Sequence, residues 1–173
     1  MANEHSNVVQ SQLLRLRRTT DEDLDFVFHA EQHEENRTFI IPWSRERHRE
    51  AFVNEDMLHL ICETVDGSRA VGYIILAGLK NANQSLEFRR LVITEKGRSF
   101  GREAVRLIKK FAFESVNMHR LWLDVKVQNH RAKRLYETEG FVVEGILREC
   151  LKTEKGFESL IVMSMLRSEY SQI

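Results

Sequence analysis

The residues whose types and spacing could do chemistry begin in the segment from Leu91 to Val105. An apolar, β-branched run there ends in a turn containing Gly97 and Gly101, which opens directly into an amphipathic helical pattern. The first amides of a helix have no intrahelical acceptor, and the helix dipole adds partial positive charge beside them. Glycine lets a ligand approach the backbone closely, so the turn is a candidate site for a phosphate or pyrophosphate. Nearby cations would reinforce such a site: Lys96, Arg98 and Arg102.

The spacing of this turn excludes two common nucleotide-binding patterns. It is not G-x-x-x-x-G-K-[ST], because neither Lys-Ser nor Lys-Thr follows the second glycine. It is not G-x-G-x-x-G, because Gly97 and Gly101 are four residues apart with Ser99 between them. Many strand-to-helix turns with glycine bind nothing, so a purely connecting turn remains the alternative at this point.

A second candidate segment follows the apparent strand Leu121–Val127, in which Trp122, Asp124 and Lys126 share one face. Asn129 is a favourable helix N-cap, and Gly140 is a favourable terminator. Between them, apolar positions recur at helical spacing and place Tyr136 on the buried stripe. On this evidence alone, a packing role for that tyrosine is the simpler interpretation.

Together the two segments resemble the GNAT superfamily, the GCN5-related N-acetyltransferases. The stretch 96–101 corresponds to the family loop Arg/Gln-x-x-Gly-x-Gly/Ala, with Lys96 in place of Arg or Gln and Ser99 in place of the middle glycine. The later signature Asn-x-x-Ala-x-x-x-Tyr-x-x-x-Gly-Phe is matched in full, by Asn129, Ala132, Tyr136, Gly140 and Phe141. Within the superfamily, the chain is most similar to the branch of ribosomal-protein alanine and spermidine acetyltransferases.

The resemblance implies an α/β (α+β) architecture in a single GNAT domain. We expect a mixed, mainly antiparallel sheet of about seven strands flanked by about four helices. Residues 1–11 are expected to be a flexible N-terminus, with the acetyltransferase domain over 12–173. A hairpin is expected at Asp66-Gly67, and a helix capped by Ser44 is expected to end near Asn54.

The resemblance also implies an activity, which is the transfer of an acetyl group from acetyl-CoA to a primary amine, directly within a ternary complex. The strand ending at Ile93 would splay from its neighbour, so that pantetheine pairs with Leu91 and Ile93 while the N–H of Val92 or a neighbour polarises the thioester. Asn129 would contact the pantetheine. The full cofactor-binding set implied is Leu91, Val92, Ile93, Lys96, Gly97, Arg98, Ser99, Phe100, Gly101, Arg102, Asn129 and Tyr136.

Acetyl transfer also requires two proton movements. An alkylamine has a pKa near ~10.4, so deprotonating it at neutral pH costs roughly 4–5 kcal/mol, and a carboxylate can accept that proton. Glu87 is the candidate base, although it could equally be an ion-pair partner of Arg89 or Arg90. By resemblance, Tyr136 would protonate the departing thiolate. The candidate acceptor-binding residues are Glu34, Glu35 and Trp43, and Glu31 also lies in this acidic stretch.

Composition narrows the remaining function classes. Lys+Arg and Asp+Glu both number 26, so no global charge favours nucleic acid or an anionic membrane as a partner. We expect a cytoplasmic protein without a metal site, in which Cys62 and Cys150 are small buried strand residues. The acceptor is either a protein N-terminal α-amine or a small amine such as a polyamine, and the last strand could support a homodimer. The alternatives are a non-catalytic acyl-CoA-binding module and, more remotely, a Rossmann-like nucleotide-binding protein.

Overall fold

The computed structural model describes residues 7–171, which form one mixed sheet with helices on both faces. The eight strands lie in the order β1-β2-β3-β4-β5-β6-β8-β7, and every pairing is antiparallel except β5 with β6. The strands are β1 (Asn7–Gln10), β2 (Leu14–Arg18), β3 (Met57–Thr64), β4 (Ala70–Ala77), β5 (Ser85–Ile93), β6 (Arg120–Lys126), β7 (Val142–Thr153) and β8 (Gly156–Leu166). The expected mixed, mainly antiparallel sheet is confirmed, with eight strands where about seven were expected.

Within the described residues, four α-helices of nine or more residues and two single-turn α-helices flank the sheet, together with a 3-10 turn at Asp21–Asp23 and a π-helical turn at Phe111–Ser115. The α-helices are α1 (Leu24–Gln32), α2 (Glu34–Arg37), α3 (Arg45–Val53), α4 (Phe100–Lys110), α5 (His130–Thr138) and α6 (Arg167–Tyr170). Ser44 caps α3 as predicted, since its hydroxyl accepts from the N–H of Arg47 at 3.2 Å. The chain leaves helical geometry at His33, where ψ is 130°, and this break separates α1 from α2.

The two faces of the sheet carry different parts of the core. Helices α4 and α5 cover one face, over a cluster that includes Leu107, Ile108 and Tyr136. On the opposite face α1 and α3 pack on β3, β4 and β5, where Trp43 and Val92 belong to a second buried cluster. Any opening through the sheet therefore connects two separately packed sides of the molecule.

Such an opening exists between β5 and β6. The parallel pairing is short: residues 85–87 of β5 pair with residues 120–122 of β6. Beyond that point β5 stays paired with β4 and β6 stays paired with β8, so the two strands diverge. The splay implied by the family resemblance is therefore present in this chain.

Two sequence expectations need correction. Residues 7–10, expected to be flexible, form β1 because the hydroxyl of Ser11 accepts the N–H groups of Leu13 and Leu14 and turns the chain back onto β2. Residues 1–6 of that expected flexible segment lie outside the described residues. Of the two cysteines expected to be buried, Cys62 is buried but Cys150 is exposed, because β7 is an edge strand with few neighbours. Within residues 7–171, no helix is long and apolar enough to span a membrane.

Candidate active site

A cavity of about 1120 Å³ occupies the opening between the diverging strands. Its walls come from β5, β6, the turn before α4, the inner face of α5, and the segment between α1 and α3. Because both Trp43 and Tyr136 line it, the cavity reaches both faces of the sheet. It contains most of the predicted site residues, namely Glu35, Trp43, Glu87, Leu91, Val92, Ile93, Lys96, Gly97, Ser99, Phe100, Gly101, Arg102, Asn129 and Tyr136.

The turn before α4 has a left-handed backbone at two positions. Gly97 has φ 78° and Ser99, the N-cap of α4, has φ 62°. Left-handed geometry costs an L-residue about 1–2 kcal/mol, which explains why glycine is the usual family residue at the position of Ser99. At Gly101 a β-carbon would lie 3.6 Å from the side chain of Leu135, an ordinary van der Waals contact, so the space between α4 and α5 does not itself require glycine there.

The predicted cations are largely engaged within the protein. The Lys96 ammonium donates to Asn36 Oδ1 at 2.7 Å and to the Ile93 carbonyl at 2.6 Å. Burial, together with the nearby charge of Arg131, lowers the pKa of Lys96. Arg102 pairs with buried Glu139 at 2.6 Å.

Arg98 does not line the main cavity. It pairs with Glu95 at 3.1 Å and borders a separate, smaller pocket. Sequence reasoning instead missed two cations that do line the main cavity, Arg131 and Arg134. Both are exposed, and neither has an acidic partner among residues 7–171. Their spacing of three residues, just after the Asn129 cap, was the signal that could have identified them.

The hydrogen-bonding pattern of β5 shows which of its last backbone groups face β4 and which face the cavity. The N–H of Thr94 donates to the Val71 carbonyl at 2.9 Å, and Val92 lies opposite Tyr73 in the same β4–β5 register. Because hydrogen-bonding direction alternates along a strand, the N–H of Val92 also points to β4. Leu91 and Ile93 therefore direct their backbone groups toward the cavity, and Leu91 replaces Val92 as the amide that could polarise a carbonyl there.

Tyr136 stands in the cavity wall on α5. The Asn129 side chain caps this helix by accepting the N–H of Ala132 at 3.2 Å. The Tyr136 ring lies edge-on to Phe88 and Phe141, with centroids 6.2 and 5.7 Å away. Among residues 7–171 its hydroxyl has no hydrogen-bond partner. Burial and the negative charge of Asp124 raise its pKa, so the phenol keeps its proton at neutral pH.

Two carboxylates from neighbouring strands share the cavity. Glu87 is held by Arg89 through contacts of 2.6, 3.1 and 3.1 Å. Asp124, which sequence reasoning did not select, has no ion pair within the described part of the chain. Although Asp124 retains exposed surface, burial of its carboxyl and the charge of Glu87 raise its pKa, partly opposed by Arg89. The sequence signal that could have identified Asp124 was the alternating pattern of strand 121–127, which places Asp124 on the same face as Trp122.

The predicted acceptor residues separate into different surroundings. Trp43 is buried in the cavity wall, with the guanidinium groups of Arg47 and Arg90 4.1 and 4.7 Å from its ring centroid. Glu35 lines the cavity and lies near enough to Lys96 for its charge to raise that pKa against the stronger effects of burial. Glu34 is exposed and does not line the cavity. No group of three or more potential metal ligands occurs among residues 7–171.

Comparison with known proteins places this geometry in a family. The model of the acetyltransferase (GNAT) domain matches residues 14–142. The chain belongs to the GNAT acetyltransferase family. A spermidine N(1)-acetyltransferase of Vibrio cholerae is 31% identical over 101 residues, which are 58% of each chain. Its counterpart from Escherichia coli K12 is 26% identical over 106 residues, 61% of this chain and 56% of the relative.

The matched region thus spans less than two thirds of the length of these GNAT relatives. A crystal structure of spermidine N-acetyltransferase from Vibrio cholerae, in complex with CoA and spermine, has a TM-score of 0.83 and 24% identity, and the match covers 93% of this chain and 99% of that one. At this identity the similarity establishes a common GNAT fold over nearly the whole described chain.

Proposed function

We propose that this protein transfers the acetyl group of acetyl-CoA to a primary amine, directly within a ternary complex. The observation that carries the proposal is the convergence of three features in one cavity. These are an open backbone edge on β5, a protonated phenol at Tyr136, and a carboxylate of raised pKa at Asp124. Membership in the GNAT family supports the same chemistry.

The cavity walls fit acetyl-CoA as the acetyl donor. The amides of the turn from Gly97 to Arg102, at the start of α4, suit a pyrophosphate, and Arg131 and Arg134 supply positive charge beside it. The backbone groups of Leu91 and the N–H of Ile93 can pair with the amides of an extended pantetheine arm, whereas the Ile93 carbonyl already accepts from Lys96. Asn129 lines the same channel, in addition to capping α5.

The side chains can then complete the proton balance of the transfer. Asp124, supported by Glu87, accepts a proton from the acceptor ammonium, which leaves a neutral amine as the nucleophile. The N–H of Leu91 donates to the thioester oxygen as negative charge develops there. The C–N bond forms as the C–S bond breaks, and Tyr136 donates its proton to the departing sulfur. The proton that the attacking nitrogen loses on becoming an amide passes through solvent to restore the Tyr136 phenol, so that one proton in total, the one held by Asp124, is released to solvent in each turnover.

Direct transfer is favoured because neither cysteine can relay the acetyl group. Cys62 is fully buried in β3, where burial raises the pKa of its thiol, and Cys150 lies on β7. Neither lines the cavity. A covalent acetyl-cysteine intermediate would require a thiolate at the reacting centre.

The acceptor remains one of two classes, a small amine such as a polyamine or a protein N-terminal α-amine. The names of the Vibrio cholerae and Escherichia coli relatives support a polyamine. We also propose a cytoplasmic location and a homodimer. The dimer contact is assigned to the edge strand β7, because the last strand, β8, lies inside the sheet between β6 and β7. The free cysteines and the balanced charge are compatible with a reducing compartment.

The test is thiol release from acetyl-CoA in the presence of spermidine, other polyamines, amino acids, amino sugars and short peptides with varied N-termini. Amine-dependent thiol release, with acetylated amine identified by mass spectrometry, is the expected result. CoA binding without turnover of any amine would favour the alternative, a non-catalytic acyl-CoA-binding module, which needs the turn before α4 but not Tyr136 or Asp124.

A further inference from the structure

We propose that Glu31 is a positioning residue for the acceptor amine, and that it acts through Arg90 and Trp43. This inference rests on the proposed acetyl transfer. Glu31 is fully buried and does not line the cavity, so it cannot bind an acceptor directly, as its place in the acidic stretch 31–35 had suggested. Its carboxylate instead organises the wall of the cavity that faces α1 and α3.

Three hydrogen-bond donors from three different segments converge on this carboxylate, and a histidine from a fourth segment lies beside it. The Tyr73 hydroxyl on β4 and the Arg90 guanidinium on β5 both donate to Oε1. The backbone N–H of Trp43 donates to Oε2 at 2.9 Å, and His48 Nε2 on α3 lies 3.3 Å from Oε1. Burial opposes ionisation of Glu31, but the hydrogen bonds from His48 and Tyr73 and the charge of Arg90 outweigh it and lower the pKa. Glu31 is therefore an anion with an almost complete set of donors.

A line of buried side chains extends behind His48, away from Glu31. The Thr19 hydroxyl lies 2.8 Å from His59 Nδ1, and His59 Nε2 lies 3.0 Å from His48 Nδ1. Burial and neighbouring His48 lower the pKa of His59 to about 3, so its ring is neutral. We assign a proton to His48 Nε2, the ring nitrogen that faces Glu31.

The groups held by Glu31 are those that shape the cavity. Arg90 donates a second hydrogen bond, to the Ile41 carbonyl at 2.9 Å, and its guanidinium lies over the Trp43 ring. Ile41 and Trp43 belong to segment 38–43, which borders the cavity without regular secondary structure. Glu31 on α1 thus holds this segment directly through the Trp43 amide, and it also holds Arg90, which bonds the segment from β5.

This arrangement predicts which kinetic step depends on Glu31. Segment 38–43 lies on the sheet face opposite α4, away from the turn that suits the pyrophosphate. If the tether is lost, the acceptor wall shifts while the cofactor contacts remain, and small displacements of a bound reactant are costly. The expected consequence is weaker use of the acceptor with unchanged binding of CoA.

The experiment compares Glu31→Gln with wild type in steady-state kinetics, calorimetric CoA titration and thermal unfolding. The substitution keeps the size of the side chain but places an amide NH₂ among groups that donate to the carboxylate. We expect the acceptor KM to rise about tenfold or more, while the Kd for CoA stays within about twofold. Glu31→Asp, which restores the charge on a shorter side chain, should recover part of the loss.

Glu63→Gln is the matched control for a general loss of stability. Glu63 is also a buried carboxylate, and it pairs with two arginines, Arg15 and Arg17, but it does not line the cavity. We expect it to lower the unfolding temperature without changing the acceptor KM. An equal rise in KM for Glu63→Gln and Glu31→Gln would overturn the positioning role.

A double-mutant cycle identifies the route of the effect. If Glu31 acts through Arg90, then Arg90→Gln and Glu31→Gln are strongly non-additive in the acceptor KM. Additive effects, or an unchanged KM in Glu31→Gln, would overturn the inference while the proposed acetyl transfer stands. Failure of the wild-type protein to acetylate any amine would overturn both.

Discussion

At the scale of single residues, Glu87 and Asp124 meet in the cavity, but only Glu87 has an arginine partner. Since the charge of Glu87 helps raise the pKa of Asp124, Glu87→Gln should make Asp124 easier to ionise. If Asp124 is the base, the acid limb of the kcat/KM profile then moves to lower pH. Asp124→Asn should remove that limb and lower the rate about 100-fold. The measurement is a pH–rate profile of the two variants and wild type.

The opposite assignment gives a distinct outcome. If Glu87 itself accepts the proton, Glu87→Gln abolishes the acid limb and Asp124→Asn leaves it in place. Local patterns could identify Tyr136 and Asn129, because both belong to one helix with its own capping signal. They could not identify Asp124 as a partner of Glu87, because that proximity depends on the parallel register of two strands far apart in sequence.

At the scale of structural elements, the turn before α4 depends on its left-handed backbone. Gly97 has φ 78°, and a β-carbon there would meet no atom within 4 Å, so Gly97→Ala tests backbone conformation without a steric clash. The expected cost is about 1–2 kcal/mol, divided between the free energy of unfolding and CoA affinity as the turn relaxes. Thermal unfolding and calorimetric CoA titration measure the two parts.

Gly145→Ala is the matched control for that substitution. Gly145 also has open space around it, but its φ lies outside the left-handed region. Equal stability and CoA affinity in the two variants would contradict a conformational role for the turn. Sequence patterns predicted this turn and the α3 and α5 caps, since each is encoded within a few residues. They missed β1, because pairing with β2 determines that strand.

At the scale of the whole molecule, the edge strand β7 and its hairpin partner expose an apolar surface. The large exposed side chains there are Val142, Val143, Ile146, Leu147 and Phe157. An exposed strand edge beside such a surface favours pairing with a second copy. We expect sedimentation velocity to detect a dimer, and Ile146→Lys to shift it toward monomer with CoA affinity retained. A wild-type protein that is monomeric across the micromolar range would contradict the proposed dimer.

The overall fold could be predicted from the sequence because two segments match motifs of the family. Asn129 to Phe141 and the turn at Lys96–Gly101 were sufficient to imply the mixed sheet and the splayed strands. They contain no information on the acceptor wall, which Glu31, Trp43 and Arg90 build from three separate parts of the chain. The acceptor therefore has to be identified by experiment on the assembled cavity.

The most direct test of the account is amine-dependent thiol release from acetyl-CoA by wild type and Tyr136→Phe, with the Kd for CoA measured in both. Phenylalanine keeps the ring packing against Phe88 and Phe141 and removes only the proton donor. We predict turnover by wild type, a loss of about 100-fold in kcat for the variant, and unchanged CoA affinity. Equal turnover by the two proteins, or no binding of CoA by wild type, would contradict acetyl transfer in this cavity.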